Sequence, residues 1–276
     1  MKKLQKDTKR RVVDPVLINK LQSFVIKSKV VSLGEISGKR RSSMKGYSLE
    51  FLQHREYSKG DDLRFVDWRI FGKRDKFYVK EFEAETTLRA CIFLDVSNSM
   101  NYKNKFEYAS IVASTLSYLM LINNDIVDFV LFRDSVEAYL PSNSGKEDFF
   151  KIIDILENVS PGGRTRLKKM LKERRIFEGR KFLIFITDLW DEETDFLKFF
   201  RAVKMKKHDI SVIHILHEDE VEPQDGFFNL IDSENNENLI VDVTSFKSKY
   251  LKSMKEYISM LEREFHLLEV DYFLFN

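Results

Sequence analysis

The chain has 276 residues, 43% hydrophobic and 33% charged, a composition that excludes collagen-like, disordered and disulfide-stabilised proteins. No apolar run approaches the roughly 20 residues that a transmembrane helix needs, and no apolar segment follows the basic N-terminus, so we expect neither a membrane span nor a signal peptide. The single cysteine, Cys91, cannot form an internal disulfide and is expected to be buried, which favours a cytoplasmic location.

The N-terminal segment is strongly basic. Residues 1–45 carry thirteen Lys and Arg against three Asp and Glu, a net charge of +10 in a chain whose net charge is +2. We interpret residues 1–15 as a flexible basic tail, and predict a helix over 16–26 and a strand over 30–33. The basic segment is either a solvated arm or a docking surface for an acidic partner or nucleic acid.

From residue 77 onward, the apolar pattern predicts strands that alternate with helices. The predicted strands are 77–82, 90–94, 126–132, 135–140 (antiparallel to the preceding one), 182–187, 210–216, 239–243 and 269–274. The predicted helices are 106–121, 146–158, 167–175, 195–206 and 246–265. This order is typical of a doubly wound α/β fold with a mostly parallel sheet. We assign that sheet to a domain over 88–276, preceded by a small α+β module over 16–87.

Oxygen-bearing side chains follow the predicted strands and a glycine-containing loop. The strand over 90–94 leads into Asp95-Val-Ser-Asn-Ser99, the loop is Gly162-Gly-Arg-Thr165, and Thr187-Asp188 closes another strand. Taken singly, these residues are typical helix caps and turn residues. Because sites in such sheets lie beyond the carboxyl ends of the strands, we expect five of them to converge: Asp95, Ser97, Ser99, Thr165 and Asp188. Hard oxygen ligands of this kind favour Mg²⁺, Mn²⁺ or Ca²⁺ over zinc.

A metal-dependent hydrolase of phosphatase type is the main alternative. Such enzymes need a second acid two residues after the strand-end aspartate, and Ser97 in that place cannot protonate a leaving group. A bound metal can activate water, but the candidate bases, Asp191 and Glu192, are better explained as the acidic first turn of the next helix. The sequence contains no nucleophile elbow, P-loop or dinucleotide fingerprint. We therefore predict a non-enzymatic site without a small-molecule substrate; nucleic-acid binding depends only on residues 1–45.

The five predicted ligands resemble the metal-ion-dependent adhesion site of von Willebrand factor A domains. Asp95-Val-Ser-Asn-Ser99, Thr165 and Asp188 match all five positions of that site. The resemblance implies that these residues hold Mg²⁺ directly or through water. It also implies that an acidic side chain of a protein partner completes the coordination shell, and that the main domain has the von Willebrand factor A fold.

The segment ahead of this motif resembles the bacterial family called domain of unknown function 58. It contains Tyr47-Ser-Leu-Glu-Phe51, Arg55-Glu-Tyr57, Gly60-Asp-Asp-Leu-Arg64, Val66-Asp-Trp68, Lys80-Glu-Phe82 and Glu85. In that family, genes often neighbour one for a MoxR-type AAA+ ATPase, which implies protein assembly or remodelling with that ATPase or its client as partner. From its charges alone, we interpret residues 60–68 as a turn braced by ion pairs and anchored by Trp68.

Overall fold

The computed structural model describes residues 49–74, 76–84, 87–142, 146–190, 195–231 and 238–276. The basic segment, with the tail, helix and strand predicted for it, lies outside these residues. The described residues fall into two compact units that meet in the chain between Thr87 and Leu88. The three-part division into tail, module and domain stays a prediction. None of the helices in the described ranges combines the length and apolar character needed to cross a membrane.

In the residues that the structure describes, the small unit contains a two-stranded antiparallel sheet, a 3-10 turn over Leu63–Phe65 and one short α-helix. In chain order, its elements are β1 (Leu49–Glu56), α1 (Trp68–Arg74) and β2 (Tyr78–Ala84). β2 pairs with β1 along its length and confirms the strand predicted over 77–82. The apolar pattern predicts neither β1 nor α1.

The turn between β1 and α1 is braced by ion pairs, as predicted. Arg55 donates hydrogen bonds of 3.0 and 3.1 Å to the carboxylate of Asp61, and Arg64 pairs with Asp62 at 2.6 Å. Trp68 does not anchor the turn in the unit's interior as predicted: it is 60% exposed, and its ring packs edge-on against Phe71 and Phe77 at the surface, with centroids 6.2 Å apart in each pair.

Asp67 takes the anchoring role instead. Its carboxylate accepts a hydrogen bond of 3.1 Å from Nε2 of His54 and lies 3.4 Å from the ammonium group of Lys80. It also accepts a hydrogen bond of 2.9 Å from the backbone N–H of Arg69 at the start of α1. The hydrogen bond from His54 is the main cause that lowers the pKa of Asp67 to about 2.

The large unit is a three-layer α/β structure. In chain order, its elements are β3 (Arg89–Asp95), α2 (Lys105–Ile122), β4 (Ile126–Phe132), β5 (Val136–Leu140), α3 (Lys146–Asn158), α4 (Leu167–Met170), β6 (Phe182–Thr187), α5 (Asp195–Lys204), β7 (Asp209–Ile215), α6 (Glu218–Val221), β8 (Phe227–Ile231), β9 (Asn238–Asp242), α7 (Val243–Leu267) and β10 (Asp271–Phe275). Six strands form one sheet in the order β10-β7-β6-β3-β4-β5, and every neighbouring pair is parallel except the antiparallel pair β4–β5. The predicted α/β class with a mostly parallel sheet is therefore confirmed.

Both faces of this sheet are covered by helices. In β3, Ile92 and Leu94 pack on one face with α2 and α3, whereas Cys91 and Phe93 pack on the other with α4, α5 and α7. Alternate side chains of a strand point to opposite faces, so a strand covered on both sides must be apolar throughout. This explains the uninterrupted apolar run over 90–94 and the complete burial of Cys91.

The predicted helix over 167–175 is wrong in its second half. α4 ends at Met170, and a separate 3-10 helix spans Arg174–Phe177. In a continuous helix, Ile176 would lie about 180° around the axis from Leu167, facing away from the core. Both residues are buried, so the chain breaks the helix and turns again to bring Ile176 inward.

The predicted strand over 239–243 is confirmed as β9, but it does not join the main sheet. β9 pairs antiparallel with β8, a strand that the apolar pattern does not predict. β9 ends at Asp242 because the carboxylate of this residue caps α7, accepting a hydrogen bond of 3.1 Å from the backbone N–H of Thr244. The last predicted strand is confirmed as β10.

Candidate metal centre

The predicted ligands lie at the point where the strand order of the sheet reverses. From β3 the chain continues into β4 on one side, whereas β6 is followed by β7 on the other. Connections that leave two neighbouring strands in opposite directions open a crevice beyond their carboxyl ends, which is where α/β sheets bind ligands. Asp95 is the last residue of β3, and Asp188 directly follows β6.

Asp95 is completely buried and is bound only by uncharged donors. Its carboxylate accepts hydrogen bonds from the backbone N–H of Ser97 at 2.9 Å, from the hydroxyl of Thr187 at 2.7 Å and from the hydroxyl of Thr165 at 3.2 Å. In the described part of the chain, no Lys, Arg or His forms an ion pair with it. Asp95 is thus a fixed carboxylate whose charge the surrounding side chains leave uncompensated.

The two serines connect this carboxylate to the surface. The Oγ atoms of Ser97 and Ser99 are 2.9 Å apart, and the first serine is buried whereas the second is partly exposed. Hydrogen bonds therefore join four of the five predicted residues: Asp95, Ser97, Ser99 and Thr165. Their oxygen atoms form a series that leads from the interior to solvent.

Thr165 reaches the site because its loop is fixed against the turn after β3. The backbone N–H of Asn98 donates a hydrogen bond of 2.8 Å to the carbonyl of Gly163. Gly163 has a φ of +77°, and a Cβ atom there would lie 3.1 Å from Cδ of Arg133. Glycine at this position thus permits both the left-handed backbone and the close approach to Arg133.

Asp188 is placed differently from the other four residues. One of its carboxylate oxygens accepts a hydrogen bond of 2.8 Å from the ammonium group of Lys105, and the other accepts one of 3.4 Å from the backbone N–H of Trp190. Asp188 is connected to Asp95 in two ways. Its neighbour Thr187 donates a hydrogen bond to Asp95, and its own negative charge raises the pKa of Asp95. Asp188 is therefore preorganised, with a cation of its own.

That cation, Lys105, is a part of the site that the sequence argument missed. Its side chain is only 1% exposed and lies 2.8 Å from the carboxylates of both Asp188 and Glu220. Glu220 in turn accepts a hydrogen bond of 2.7 Å from the backbone N–H of His217 and so helps to cap the N-terminus of α6. One signal was present in the sequence: a lysine in the first turn of α2 opposes the helix dipole, so another interaction must hold it there.

The carboxylates of Asp95 and Asp188 consequently have different electrostatic surroundings. Burial, and after it the negative charge of Asp188, raise the pKa of Asp95 to about 7. Burial alone would lower the pKa of Lys105, but the carboxylates of Asp188 and Glu220 outweigh it and hold that pKa above its ordinary value. Lys105 therefore stays charged and pairs with Asp188, whereas none of the described cations pairs with Asp95.

His214 in β7 fixes the backbone behind Asp188. Its Nε2 atom lies 3.0 Å from the carbonyl oxygen of Asp188, and its Nδ1 atom lies 2.6 Å from the hydroxyl of Tyr272. A carbonyl only accepts, so Nε2 carries the proton and Nδ1 accepts from the tyrosine. Burial lowers the pKa of His214 to about 4, which keeps the ring neutral and preserves both hydrogen bonds.

The donor atoms match the chemistry of a hard divalent cation. They are carboxylate and hydroxyl oxygens, the ligands that Mg²⁺, Mn²⁺ and Ca²⁺ prefer. Within the described ranges, no three Cys, His, Asp or Glu side chains form a group that could hold a metal, so this set depends on hydroxyls beside two carboxylates. Asp191 and Glu192, the candidate bases of a hydrolase, lie outside the described residues.

Proteins of known sequence or structure resemble this chain. Uncharacterised proteins of Mycobacterium tuberculosis and Mycobacterium bovis are 21% identical over 230 residues, which cover 80% of this chain and 72% of each relative. A conserved hypothetical protein BatB of Bacteroides thetaiotaomicron has 18% identity and a TM-score of 0.44, covering 68% of this chain and 90% of its own. An aerotolerance-related membrane protein of Bacteroides fragilis, carrying multiple mutations to serine, has 16% identity and a TM-score of 0.44. That match covers 68% of this chain and 92% of the other.

The family assignment depends on a match to a family as a whole. The family described as "Protein of unknown function DUF58" matches residues 53–257. This range contains most of the signature that precedes Asp95, together with all five predicted ligands. The chain therefore belongs to the DUF58 family.

Proposed function

We propose that this protein is a non-enzymatic binding module whose large unit is a von Willebrand factor A-like domain. Asp95, Ser97, Ser99, Thr165 and Asp188 hold Mg²⁺, or Mn²⁺ or Ca²⁺ in its place, and the site captures an acidic side chain of a protein partner. The observation that carries the proposal is Asp95, a buried carboxylate that, among the described residues, accepts hydrogen bonds from uncharged groups and forms no ion pair.

The electrostatics of the site favour a cation from outside the chain. A buried carboxylate without a counter-charge is costly, as the raised pKa of Asp95 indicates. Lys105 lies close by but is engaged between Asp188 and Glu220. A bound divalent cation supplies the missing positive charge, together with a coordination position that a carboxylate from another molecule can take. Asp188, already bound to Lys105 and Trp190, suits a role as a ligand through water.

The same residues favour binding over hydrolysis. General acid catalysis needs a group that can give up a proton near neutral pH, and Ser97 occupies the place where a phosphatase carries a second acid. Lys105 and Glu220 are bound to each other, so neither is free to exchange a proton with a substrate. The described side chains at this site therefore suit holding a ligand rather than transforming one.

The rim of the site offers a surface for a protein. Tyr102 and Trp190 lie in the segments after Asp95 and Asp188 and are 43% and 41% exposed. Trp190 is held in place by stacking on Tyr257, with ring centroids 5.8 Å apart. Exposed, rigid aromatic side chains beside a charged site are typical of protein interfaces. Family resemblance suggests a MoxR-type AAA+ ATPase or its client as the partner.

Metal titration tests the site itself. Calorimetry with Mg²⁺ and Mn²⁺ should give one site in the natural protein and none in Asp95→Ala. Asp134→Asn is the matched control, since Asp134 follows the neighbouring strand β4 but is about half exposed and paired with Lys169. The metal affinity of this variant should be unchanged. If the natural protein and Asp95→Ala bind metal equally, the site assignment is wrong.

Binding to a purified MoxR-type ATPase tests the partner. We expect association in Mg²⁺ that disappears in chelator and in Asp95→Ala but survives in Asp134→Asn. Metal-dependent phosphatase turnover that is lost in Asp95→Ala would instead favour the hydrolase. Nucleic-acid binding that falls steeply with salt and disappears without residues 1–45 would favour the adaptor function.

A further inference from the structure

A second polar site lies at the opposite end of the same sheet. A cavity of about 410 Å³ opens at the amino-terminal ends of β3 and β6. Arg89, the first residue of β3, lines it together with Lys181, which directly precedes β6, and Arg175 from the 3-10 helix. Three cationic side chains from three separate segments thus face one cavity, whose volume lies in the range of small-molecule sites.

The floor of the cavity is a buried ion pair that is already neutral. The ammonium group of Lys181 donates to the carboxylate of Asp128 at 2.7 Å and to the carbonyl of Ile176 at 3.0 Å. The carboxylate also accepts from the backbone N–H of Ser142 at 3.1 Å and from the hydroxyl of Tyr139 at 3.4 Å. This group is complete in itself, so Asp128 does not counter the arginines.

The two arginines at the mouth of the cavity, Arg89 and Arg175, differ from Lys181 in having no carboxylate partner among the described residues. Both side chains are exposed, and among the described residues neither guanidinium group makes a hydrogen bond or an ion pair. Glu178 is the other carboxylate among the lining residues, and it is exposed as well. After the neutral floor pair is set aside, the described lining holds two positive charges against one negative charge.

We infer that this cavity binds a phosphorylated small molecule, with its phosphate group between Arg89 and Arg175. A guanidinium group binds oxyanions through a planar fork of N–H donors. A phosphate has enough oxygens to receive two forks at once, whereas a carboxylate has two oxygens and is satisfied by one. The volume exceeds that of a phosphate ion, and the half-buried side chain of Ile126 provides apolar contact for an organic group.

Inorganic phosphate titrated at constant ionic strength, in chelator, is the first probe, because chelator keeps the candidate metal centre out of the measurement. Calorimetry should detect binding to the natural protein, and Arg89→Ala/Arg175→Ala should weaken it by about tenfold or more, the loss expected for two charge-assisted hydrogen-bonding groups. Arg174→Ala is the matched control, since Arg174 precedes Arg175 in the same exposed turn but does not line the cavity. Its affinity for phosphate should stay within about twofold of the natural value.

Two further measurements separate a phosphate fork site from general attraction of anions. Arg175→Lys keeps the charge but loses the fork, so phosphate should bind several-fold more weakly, and acetate at the same concentration should not displace it. The inference is overturned if the natural protein binds no phosphate, if the double variant binds it unchanged, or if acetate competes equally. Thermal unfolding of each variant controls for folding, which the exposure of both arginines should preserve.

Discussion

Asp95 and Asp128 are two buried aspartates on neighbouring strands of one sheet, and the protein treats them in opposite ways. Asp128, toward the amino end of β4, is bound to Lys181 at 2.7 Å. Asp95, at the carboxyl end of β3, receives hydrogen bonds only from uncharged groups. Asp128 has a cation from its own chain and is structural. Among the described residues Asp95 has none, so its charge favours a cation from solution, which is the basis of the proposed metal site.

The largest effect should come from removing the cation of the structural pair. Lys181→Met leaves the charge of Asp128 buried without a partner, so we expect the free energy of unfolding to fall by about 3 to 5 kcal/mol. Denaturant unfolding measures the loss. Adding Asp128→Asn to the same chain should restore most of it; a double variant as unstable as the single one would show that the ion pair is not the cause.

Acid should weaken the carboxyl end of the sheet through His214. Its folded-state pKa of about 4 lies below the ordinary value of 6.5, so its contribution is complete above pH 6.5 and is lost as pH falls toward 4. This loss amounts to about 3 kcal/mol. Because Asp95 titrates in the opposite sense over this range, Asp95→Asn is the background for the test. In that background, unfolding followed from pH 7.5 to 4 should be flatter once His214→Gln is added. Part of the slope should remain, because burial also lowers the pKa of His208.

Asp95→Asn should stabilise the metal-free protein, whereas breaking the ion pair of Asp128 destabilises it. The folded-state pKa of Asp95, about 7, lies above its ordinary value of 3.8, so the charged form destabilises the metal-free protein increasingly from pH 4 to 7. In chelator at pH 8, we expect this variant to be about 1 to 2 kcal/mol more stable than the natural protein. Excess Mg²⁺ should reverse the order, because only the natural protein binds it. A variant less stable in chelator would contradict the argument.

The smallest effect is expected from a partly exposed ion pair near the carboxyl ends of the strands of the main sheet. Lys169 and Asp134 approach within 3.0 Å, but both side chains are nearly half exposed. Water and salt screen such a pair, so Lys169→Ala should change the free energy of unfolding by less than about 1 kcal/mol. A loss as large as that of Lys181→Met would show that burial is not what separates the two pairs.

The elements that the sequence predicts best are those that the core encloses. The bounds of β4, β6 and α3 match the predicted ranges 126–132, 182–187 and 146–158 residue for residue. A strand covered on both faces must be apolar throughout, and a helix with one buried face has apolar residues at helical spacing; both patterns are visible in the sequence. Within the described residues, β1 and β8 belong to separate two-stranded sheets outside the main sheet. Strands of such small sheets need not carry the continuous apolar run that cover on both faces imposes.

The candidate site likewise contains residues that the sequence predicts and one that it does not. Four of the predicted residues lie close together because strand ends and a loop bring them there, which the order of elements indicates in advance. Lys105, by contrast, meets Asp188 across 83 residues and Glu220 across 115. Nothing local specifies these contacts; only the packing of α2 and α6 around the sheet brings them together. The sequence therefore indicates which oxygens converge, but not which one already has a cation.

The hydrogen bond between Thr187 and Asp95 has a consequence for synthesis of the chain. The two residues are 92 positions apart, so the aspartate leaves the ribosome long before its strongest donor exists. At 5 to 20 residues per second, the delay is roughly 5 to 20 s. During that time β3 lacks its neighbour β6 and exposes one of the most apolar segments of the chain. The nascent chain is therefore aggregation-prone for those seconds, until the second half of the sheet covers β3.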